Sequence, residues 1–332
     1  MDRNTHDDKA LHPYVTYYSP SQTARRKQLN RSPQQKRRRS WKSNSIYVCI
    51  LLLVVGSAYI ALRPDTKPVT AASRKNTPPK AAKALTPPVT TPVTDPTLTR
   101  MSQSIDTIID QNDDVDASVN LIDLSNGQSE HYGTDDSFQA GSTSKIIAAV
   151  DWLHQVEIGQ QTMSETVGPT TAANDIDQMI TVSNDPDWKA IEAQLGYNNL
   201  QNYATSLGLI DYQAYNNSLP SGDMALILQK LWSGSLLNRS DTQLLLSYLK
   251  QANYRQYIVP AIPNDDLIYH KIGFYETYLN DAAIVTHGNQ AFVIVIFTNS
   301  DDDAYPWPAR ATMMQDITKA ALLYYFNQAS SD

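Results

Sequence analysis

Strand patterns lie at both ends of residues 101–332, and helical patterns fill the middle. Residues 118–124 and 128–132 alternate in polarity around Asn126-Gly127, a pair that is typical of tight hairpins. Strand patterns return at 267–271, 281–286 and 291–298, the last two joined around Gly288-Asn289. This order predicts an α/β fold of the α+β type, in which an antiparallel sheet is built from both ends of the domain and a helical block is inserted.

The helical block is predicted from apolar residues that recur every three or four positions. An opening helix is expected at 101–111, and a closing helix at 310–326. The expected inner helices cover residues 144–155, 186–195, 200–207, 222–232 and 241–251.

Charge divides the chain into a basic and an acidic part. Residues 1–100 hold 18 of the 27 Lys and Arg residues but only 5 of the 34 Asp and Glu residues. Residues 101–332 are therefore strongly acidic, and they would repel a phosphate backbone. We expect the folded domain to bind no nucleic acid.

The basic part contains an uncharged apolar segment of 17 residues, Ile46–Leu62. Its length is at the short end for a helix that spans a bilayer. Arg37, Arg38 and Arg39 precede it, and basic residues stay on the cytoplasmic side, so the C-terminal domain is expected outside the cell membrane. The alternative is a cleaved signal peptide, which the long polar leader and the lack of a small-residue site after Leu62 disfavour.

These patterns predict four regions. Residues 1–44 form a basic, disordered cytoplasmic tail, and 45–62 a single transmembrane signal-anchor helix. Residues 63–100 are rich in Pro, Thr and Ala and form an extended linker, and 101–332 form the extracytoplasmic domain. The only cysteine, Cys49, lies in the apolar segment, so the outer domain has no disulfide, which suits a bacterial protein.

Ser142-Thr143-Ser144-Lys145 is the candidate nucleophile motif. Residues i and i+3 share a helix face, so Lys145 can approach the hydroxyl of Ser142. A serine becomes a nucleophile when a base removes its proton, and a lysine serves as that base only if its pKa is lowered. A Ser-x-x-Lys pair arises by chance in a chain of this length, and a helix-capping serine with a solvated lysine is the simple alternative.

Two further motifs follow in order. Ser183-Asn184-Asp185 comes after Met179-Ile180-Thr181-Val182, and Lys271-Ile272-Gly273 lies on a predicted strand. With Ser142–Lys145, this series resembles the penicillin-recognising serine hydrolases, most closely their class A β-lactamase-like branch, whose motifs are Ser-x-x-Lys, Ser-Asp-Asn and Lys-Thr/Ser-Gly. The resemblance covers about 105–328 and includes Asn217–Asp223.

The resemblance implies a role for each matching residue. Ser142 would attack a carbonyl and become acylated, with Lys145 as base or proton relay. Ser183 would pass a proton to the leaving nitrogen, and Lys271 would bind a substrate carboxylate and lower the pKa of Lys145. The backbone N–H groups of Ser142 and Phe274 would form the oxyanion hole, and Asp185, Gly273 and Phe274 would contact the substrate.

Three departures from the family pattern bear on activity. Asp185 replaces an amide with a carboxylate, which can only accept hydrogen bonds and could pair with Lys145. Ile272 replaces a hydroxyl residue that would bind a substrate carboxylate. The stretch 209–219 contains no Glu to activate water, and Asp211 there is a turn residue, so we expect poor turnover of β-lactams.

The leading hypothesis is a membrane-anchored serine hydrolase or acyltransferase acting on an amide, such as a cell-wall peptide or a β-lactam-type ligand, through an acylated Ser142. The alternatives are a binding or scaffold domain without efficient chemistry and a true β-lactamase. His131, His154, His270 and His287 lack ligand-like spacing, so no metal is expected, and no nucleotide or other cofactor motif occurs.

Overall fold

The computed structural model describes residues 95–264, 266–300 and 307–326, with the backbone alone at Trp307. The predicted tail, the apolar segment Ile46–Leu62, Cys49 and nearly all of the predicted linker lie outside these residues. Among the helices that are described, none is both long and apolar enough to cross a bilayer.

A five-stranded antiparallel sheet forms the centre of the domain. Its strands are β1 (Asp116–Asp123), β2 (Ser129–Gly133), β5 (Leu267–Tyr275), β6 (Tyr278–His287) and β7 (Gln290–Asn299). They lie in the order β2-β1-β7-β6-β5, so strands from both ends of the domain meet where β1 pairs with β7. Two short strands, β3 (Phe138–Gln139) and β4 (Ser218–Leu219), pair separately.

Eight α-helices flank this sheet in the described part of the chain. They are α1 (Pro96–Asp110), α2 (Lys145–Glu157), α3 (Ala172–Thr181), α4 (Asp185–Leu195), α5 (Tyr197–Ser206), α6 (Ser221–Trp232), α7 (Arg239–Gln251) and α8 (Trp307–Tyr325). Short 3₁₀ turns occupy Gly141–Ser144 and Val259–Ala261.

The two faces of the sheet bury two separate apolar clusters. Val293, Val295 and Phe297 of β7 pack into the cluster of the helical block. The alternate residues Ile294 and Ile296 pack with α1 and α8 into the other cluster. Because neighbouring side chains of a strand point to opposite faces, the continuous apolar run of β7 fills both clusters.

The predicted fold class is confirmed, as are the hairpin and the inserted helical block. The prediction missed α3, whose Ala172, Ile176, Met179 and Ile180 are buried at helical spacing. Strand β5 also continues four residues beyond the predicted end at Lys271.

The first helix starts five residues earlier than predicted and includes residues 96–100, which composition assigns to the linker. Asp95 accepts a hydrogen bond from the Thr97 amide at 2.8 Å, and Pro96 occupies the first helical turn. Proline fits that position because its missing N–H has no partner there anyway. Pro96, which composition assigns to the linker, thus begins α1.

Candidate active site

Ser142 lies in the 3₁₀ turn Gly141–Ser144, which leads directly into α2. Lys145 is the first residue of α2 and is fully buried, whereas Ser142 is partly exposed. The candidate nucleophile is therefore partly accessible at a helix start, where backbone N–H groups have no partner within the helix.

Three side chains from different parts of the chain fix this turn. Thr143 Oγ1 donates to the carbonyl oxygen of Ala140 at 2.8 Å. Asn280 on β6 donates to the same carbonyl at 3.2 Å, and Asn217 donates to the carbonyl of Gly141 at 3.0 Å. The turn is thus held by hydrogen bonds that span up to 140 positions of sequence.

Two glycines bring the turn against strand β5. Gly141 has a φ of +56°, and a Cβ on it would lie 2.6 Å from the Phe274 nitrogen. A Cβ on Gly273 would overlap the Ala140 carbonyl oxygen and lie 3.0 Å from the Ser142 nitrogen. Only glycine permits this approach, which places the two backbone segments predicted to form an oxyanion hole side by side.

The Lys145 ammonium lies beneath the second motif. Its Nζ donates to the Ser183 carbonyl at 2.8 Å and to Asp185 Oδ1 at 2.6 Å, and it lies 3.4 Å from Ser183 Oγ. The Trp188 ring centroid is 5.0 Å away, which is cation–π distance. In this part of the structure no hydrogen bond joins Lys145 to Ser142, so the lysine is engaged by the second motif instead.

Lys271 approaches Ser183 from the sheet. Its Nζ donates to Ser183 Oγ at 2.9 Å and to the carbonyl of Ile272 at 3.3 Å, and its side chain is buried. Burial lowers the pKa of Lys271 well below its usual value, and the nearby charge of Lys145 lowers it further, while Asp281 opposes the shift. Burial also lowers the pKa of Lys145, against the raising effect of Asp185.

Ser183 itself has a φ of +63°. A residue other than glycine rarely adopts this left-handed conformation, and such strain is concentrated at functional positions. The two lysines that contact Ser183 Oγ hold the hydroxyl between α2 and β5. The structure thus brings Ser183, Lys145, Lys271 and Asp185 together, and their catalytic roles stay predictions.

The order Ser-Asn-Asp of the second motif has a local reason. The Asn184 side chain caps α4 by accepting a hydrogen bond from the Asp187 amide at 3.2 Å. Asp185 then starts the helix, where its charge is favoured by the helix dipole. Its side chain is 62% exposed although its carboxylate bonds the buried Lys145. The carboxylate that replaces the family's amide therefore both pairs with the candidate base and faces the solvent.

The second departure, Ile272, lies in the core. Only 1% of its surface is exposed, and it packs in the cluster of α1 and α8. The ring of Phe274, two residues later, contacts Tyr254 and Tyr257 edge-on at 6.0 and 5.6 Å between centroids. The hydroxyl that the family carries at position 272 is thus replaced by an apolar packing group.

The stretch 209–219 is closed by hydrogen bonds of its own. Asp223 at the start of α6 accepts from the amides of Asp211 and Tyr212 at 3.1 and 3.0 Å. Gln201 of α5 donates to the Tyr212 carbonyl at 2.7 Å. Asp211 contributes its backbone to this turn, in agreement with the prediction that it is a turn residue.

Sequence reasoning missed Glu192. It is buried on α4, seven residues after Asp185 and four after Trp188, on the helix face that Lys145 contacts. Burial raises the pKa of Glu192 to about 7, and the charge of Lys145 opposes this shift. Asp185, Trp188 and Glu192 have the spacing i, i+3 and i+7, which places them on one helix face. This spacing is the sequence signal that could have revealed Glu192.

The His270 side chain does not hydrogen-bond to Lys145 or Lys271 and bonds instead to Asp281. Its Nδ1 lies 3.1 Å from Asp281 Oδ1, and both side chains are fully buried. Within the described ranges, no three side chains of the metal-binding types lie together. His270 of β5 therefore forms a buried pair with Asp281 of the neighbouring strand β6.

Comparisons with known proteins identify similar folds. PBP-A is 20% identical and covers 70% of this chain and 97% of its own, with a TM-score of 0.63. A β-lactamase from Sphaerobacter thermophilus is 18% identical, with coverages of 70% and 98% and a TM-score of 0.62. A β-lactamase from Chitinophaga pinensis is 18% identical, with coverages of 67% and 97% and a TM-score of 0.61. No curated protein sequence matches the chain.

The fold and the ordered motifs place the chain among the penicillin-recognising serine hydrolases, as the resemblance predicted. The sequence pattern of the family described as "Beta-lactamase enzyme family" matches residues 100–178 and 170–325. This match covers well over half of the 332 residues, and the chain belongs to that family.

Proposed function

We propose that the protein is a membrane-anchored serine acyltransferase or hydrolase that acts outside the cytoplasm on an amide, such as a cell-wall peptide. The observation that carries this proposal is the convergence of Lys145 and Lys271 on Ser183 Oγ, at 3.4 and 2.9 Å, beside the turn that carries Ser142. Burying two lysines costs free energy, because each ammonium group loses its hydration, and it lowers their pKa values. Sites of this kind are typically catalytic.

The proposed reaction begins with neutral Lys145. It accepts the proton of Ser142 Oγ while that oxygen bonds to the amide carbonyl carbon, and the carbonyl electron pair moves onto oxygen. The backbone N–H groups of Ser142 and Phe274 stabilise the resulting oxyanion. This step requires Lys145 to turn from Ser183 towards Ser142.

The second step breaks the carbon–nitrogen bond. Lys145 returns its proton through Ser183 Oγ to the leaving nitrogen, so Ser142 becomes an ester and an amine departs. Lys271 favours this transfer because its N–H donates to Ser183 Oγ. Water or an acceptor amine then attacks the ester carbonyl carbon, the carbon–oxygen bond to Ser142 breaks, and the proton of the attacking group passes to Ser142 Oγ, so the acyl group leaves as an acid or a new amide.

Slow release of the acyl group is expected because residues 209–219 provide no Glu to activate water. This supports an acyltransferase or peptidase more than a β-lactamase. A second candidate is a binding or scaffold domain, which the 2.6 Å pair between Lys145 and Asp185 favours because it occupies the base.

Labelling by a fluorescent penicillin tests these alternatives. The purified full-length chain is incubated with the probe, and the labelled residue and its lifetime are followed by mass spectrometry. We expect long-lived label on Ser142 that Ser142→Ala abolishes and that Ser206→Ala, on an exposed face of α5, retains. Rapid release of hydrolysed product would indicate a β-lactamase. Absence of label in a chain that is folded would favour the scaffold.

The anchor is tested separately. Deletion of residues 46–62 is expected to move the protein from the membrane fraction to the soluble fraction. A replacement of 46–62 by an unrelated apolar helix is the control, and it should restore membrane association. Cleaved, soluble protein in the wild type would instead indicate a signal peptide.

A further inference from the structure

Glu192 has a position that the proposed reaction does not use. Helix α4 presents Asp185, Trp188 and Glu192 on one face, and the Lys145 ammonium contacts the first two at 2.6 Å and 5.0 Å. Glu192 continues that face one turn further into the protein, and only 6% of its surface is exposed. Asp187, on the first turn of α4 and 4% exposed, is a third carboxyl group whose charge acts on Lys145, so α4 presents one exposed and two buried carboxyl groups to the lysine.

The groups around Glu192 leave Lys145 as its principal charged neighbour. On α4 itself Lys189 is a cation, but it is exposed and screened by water. From other elements, the charge of Glu192 raises the pKa of Tyr197 of α5, and burial first and Glu192 second raise that of Tyr212 before α6. Neither tyrosine supplies positive charge, so the ammonium of Lys145 is the buried cation that an ionised Glu192 has available.

The interaction of the two residues is reciprocal. An ionised Glu192 favours the ammonium form of Lys145, and the ammonium favours the carboxylate. Both groups lose solvation by burial, so each has its own tendency to be neutral. Since the pKa of Glu192 is raised to about 7, its ionisation falls in the range in which an enzyme outside the cytoplasm works.

We propose that Glu192 is a positioning residue for Lys145: when Glu192 ionises, it keeps Lys145 in the charged form and so restrains the activation of Ser142. The restraint rests on the proposed function, in which neutral Lys145 is the base. Asp185 acts in the same direction from the solvent side. Glu192 differs because its charge appears only as the pH rises through neutrality. The site is therefore expected to acylate more slowly near pH 7.5 than it would with a neutral residue at position 192.

The direct test is a titration that needs no substrate. Full-length protein carrying ¹³Cε-labelled lysine is titrated by NMR, and the Lys145 signal is assigned from its loss in Lys145→Met. In the wild type, the Lys145 signal should show an inflection near pH 7 as Glu192 ionises, and its own titration should follow at higher pH. Glu192→Gln should remove the inflection and move the titration of Lys145 to lower pH.

Asp151→Asn is the matched control. Asp151 is a second buried carboxyl group, on α2, and burial raises its pKa to about 6. It is bonded to Gln155 at 3.0 Å and does not contribute to the shift of Lys145. Its replacement should leave the Lys145 titration as in the wild type. Identical Lys145 titrations in the wild type and in Glu192→Gln would overturn the proposal.

The rate of penicillin acylation at Ser142 as a function of pH then links this coupling to the reaction. Glu192→Gln should shift the rising limb of the profile to lower pH and raise the rate at pH 7.5 by roughly tenfold, which corresponds to a decrease of about one unit in the pKa of Lys145 or about 1.4 kcal/mol. Unchanged profiles would overturn the restraint. If no variant is acylated at any pH, the proposed function fails, while the NMR titration still decides whether Glu192 controls Lys145.

Discussion

Ser183 is approached from two sides that are built by different forces. On the sheet side, Lys271 comes from β5, and the backbones of β5 and the Ser142 turn meet through Gly141 and Gly273. On the helical side, Lys145 bonds to Asp185 of α4 and feels the charge of the buried Glu192 on the same helix. Close backbone packing brings β5 against the Ser142 turn on the first side, and an ion pair positions Lys145 on the second.

This difference predicts which changes each side tolerates. Close backbone packing responds to added volume and is insensitive to pH, because no proton is gained or lost. Paired charges tolerate small changes in side-chain shape. Their interaction energy changes with pH, because it depends on which groups are ionised. Substitutions that change only volume or only charge can separate the two sides.

The largest effect is expected for Gly273→Ala on the sheet side. The new methyl group would overlap the Ala140 carbonyl and force β5 away from the Ser142 turn. We expect a loss of about 3 kcal/mol or more in the free energy of unfolding, and loss of acylation. Urea unfolding and penicillin labelling of the full-length chain measure these quantities.

Gly159→Ala provides the control for this prediction. Gly159 has a φ of +74°, but no atom lies within 4 Å of a Cβ placed on it. Its substitution should cost about 1 kcal/mol for the backbone conformation alone and leave acylation intact. Equal costs at the two positions would show that close packing does not position the sheet side.

A pH dependence of intermediate size is expected from two buried carboxyl groups of the helical block, Glu192 on α4 beside Lys145 and Asp151 on α2. Burial raises the pKa of Asp151 to about 6 and of Glu192 to about 7, above their values of about 4 in an unfolded chain. Such groups bind protons more tightly in the folded state, so their stabilising effect is complete below pH 4 and is lost as the pH rises to about 7.

Each carboxyl group should lower the free energy of unfolding by on the order of 2 kcal/mol across this range. Urea unfolding at several pH values measures the slope, which Asp151→Asn and Glu192→Gln should each reduce. A slope that neither variant changes would contradict the assignment of the effect to these two groups.

The smallest effect is expected for Asp185→Asn. It removes one charge of the pair with Lys145, but the Asp185 side chain is 62% exposed and the amide oxygen can still accept a hydrogen bond. We expect a loss of about 1 kcal/mol at pH 7, measured by urea unfolding. Asp316→Asn is the comparison, because its pair with Lys319 at 2.9 Å is exposed on both partners. Asp316→Asn should lower the free energy of unfolding by no more than about 0.5 kcal/mol. Equal decreases for Asp185→Asn and Asp316→Asn would mean that burial of Lys145 does not strengthen its ion pair.

Much of the fold was predictable because its signals are local. Asn126-Gly127 marks a hairpin turn, and Gly127 has the positive φ of 78° that such a turn requires. The apolar spacing of α2, α6 and α8 likewise identifies helices from sequence alone. The start of α1 at Pro96 was missed because proline is common both in linkers and in first helical turns.

The candidate site residues were predictable only where they belong to a motif of neighbouring residues in the sequence. Ser142 and Lys145 share one turn, and the other two motifs could be found because their order resembles that of a family. Glu192 was missed because burial and a nearby lysine, rather than its sequence context, make it unusual. The hydrogen bonds from Asn217 and Asn280 to the Ser142 turn were equally hidden, since they join residues 76 and 140 positions apart.

The pairing of β1 with β7 sets an order of events during synthesis. Asp116–Asp123 of β1 lies opposite residues 292–299 of β7, so β1 has no partner on that side until nearly the whole domain has emerged. Contacts so distant along the chain make folding slow, and an open strand edge can pair with other chains. The β1 edge of the nascent β1–β2 hairpin is therefore open to pairing with other chains until β7 is made.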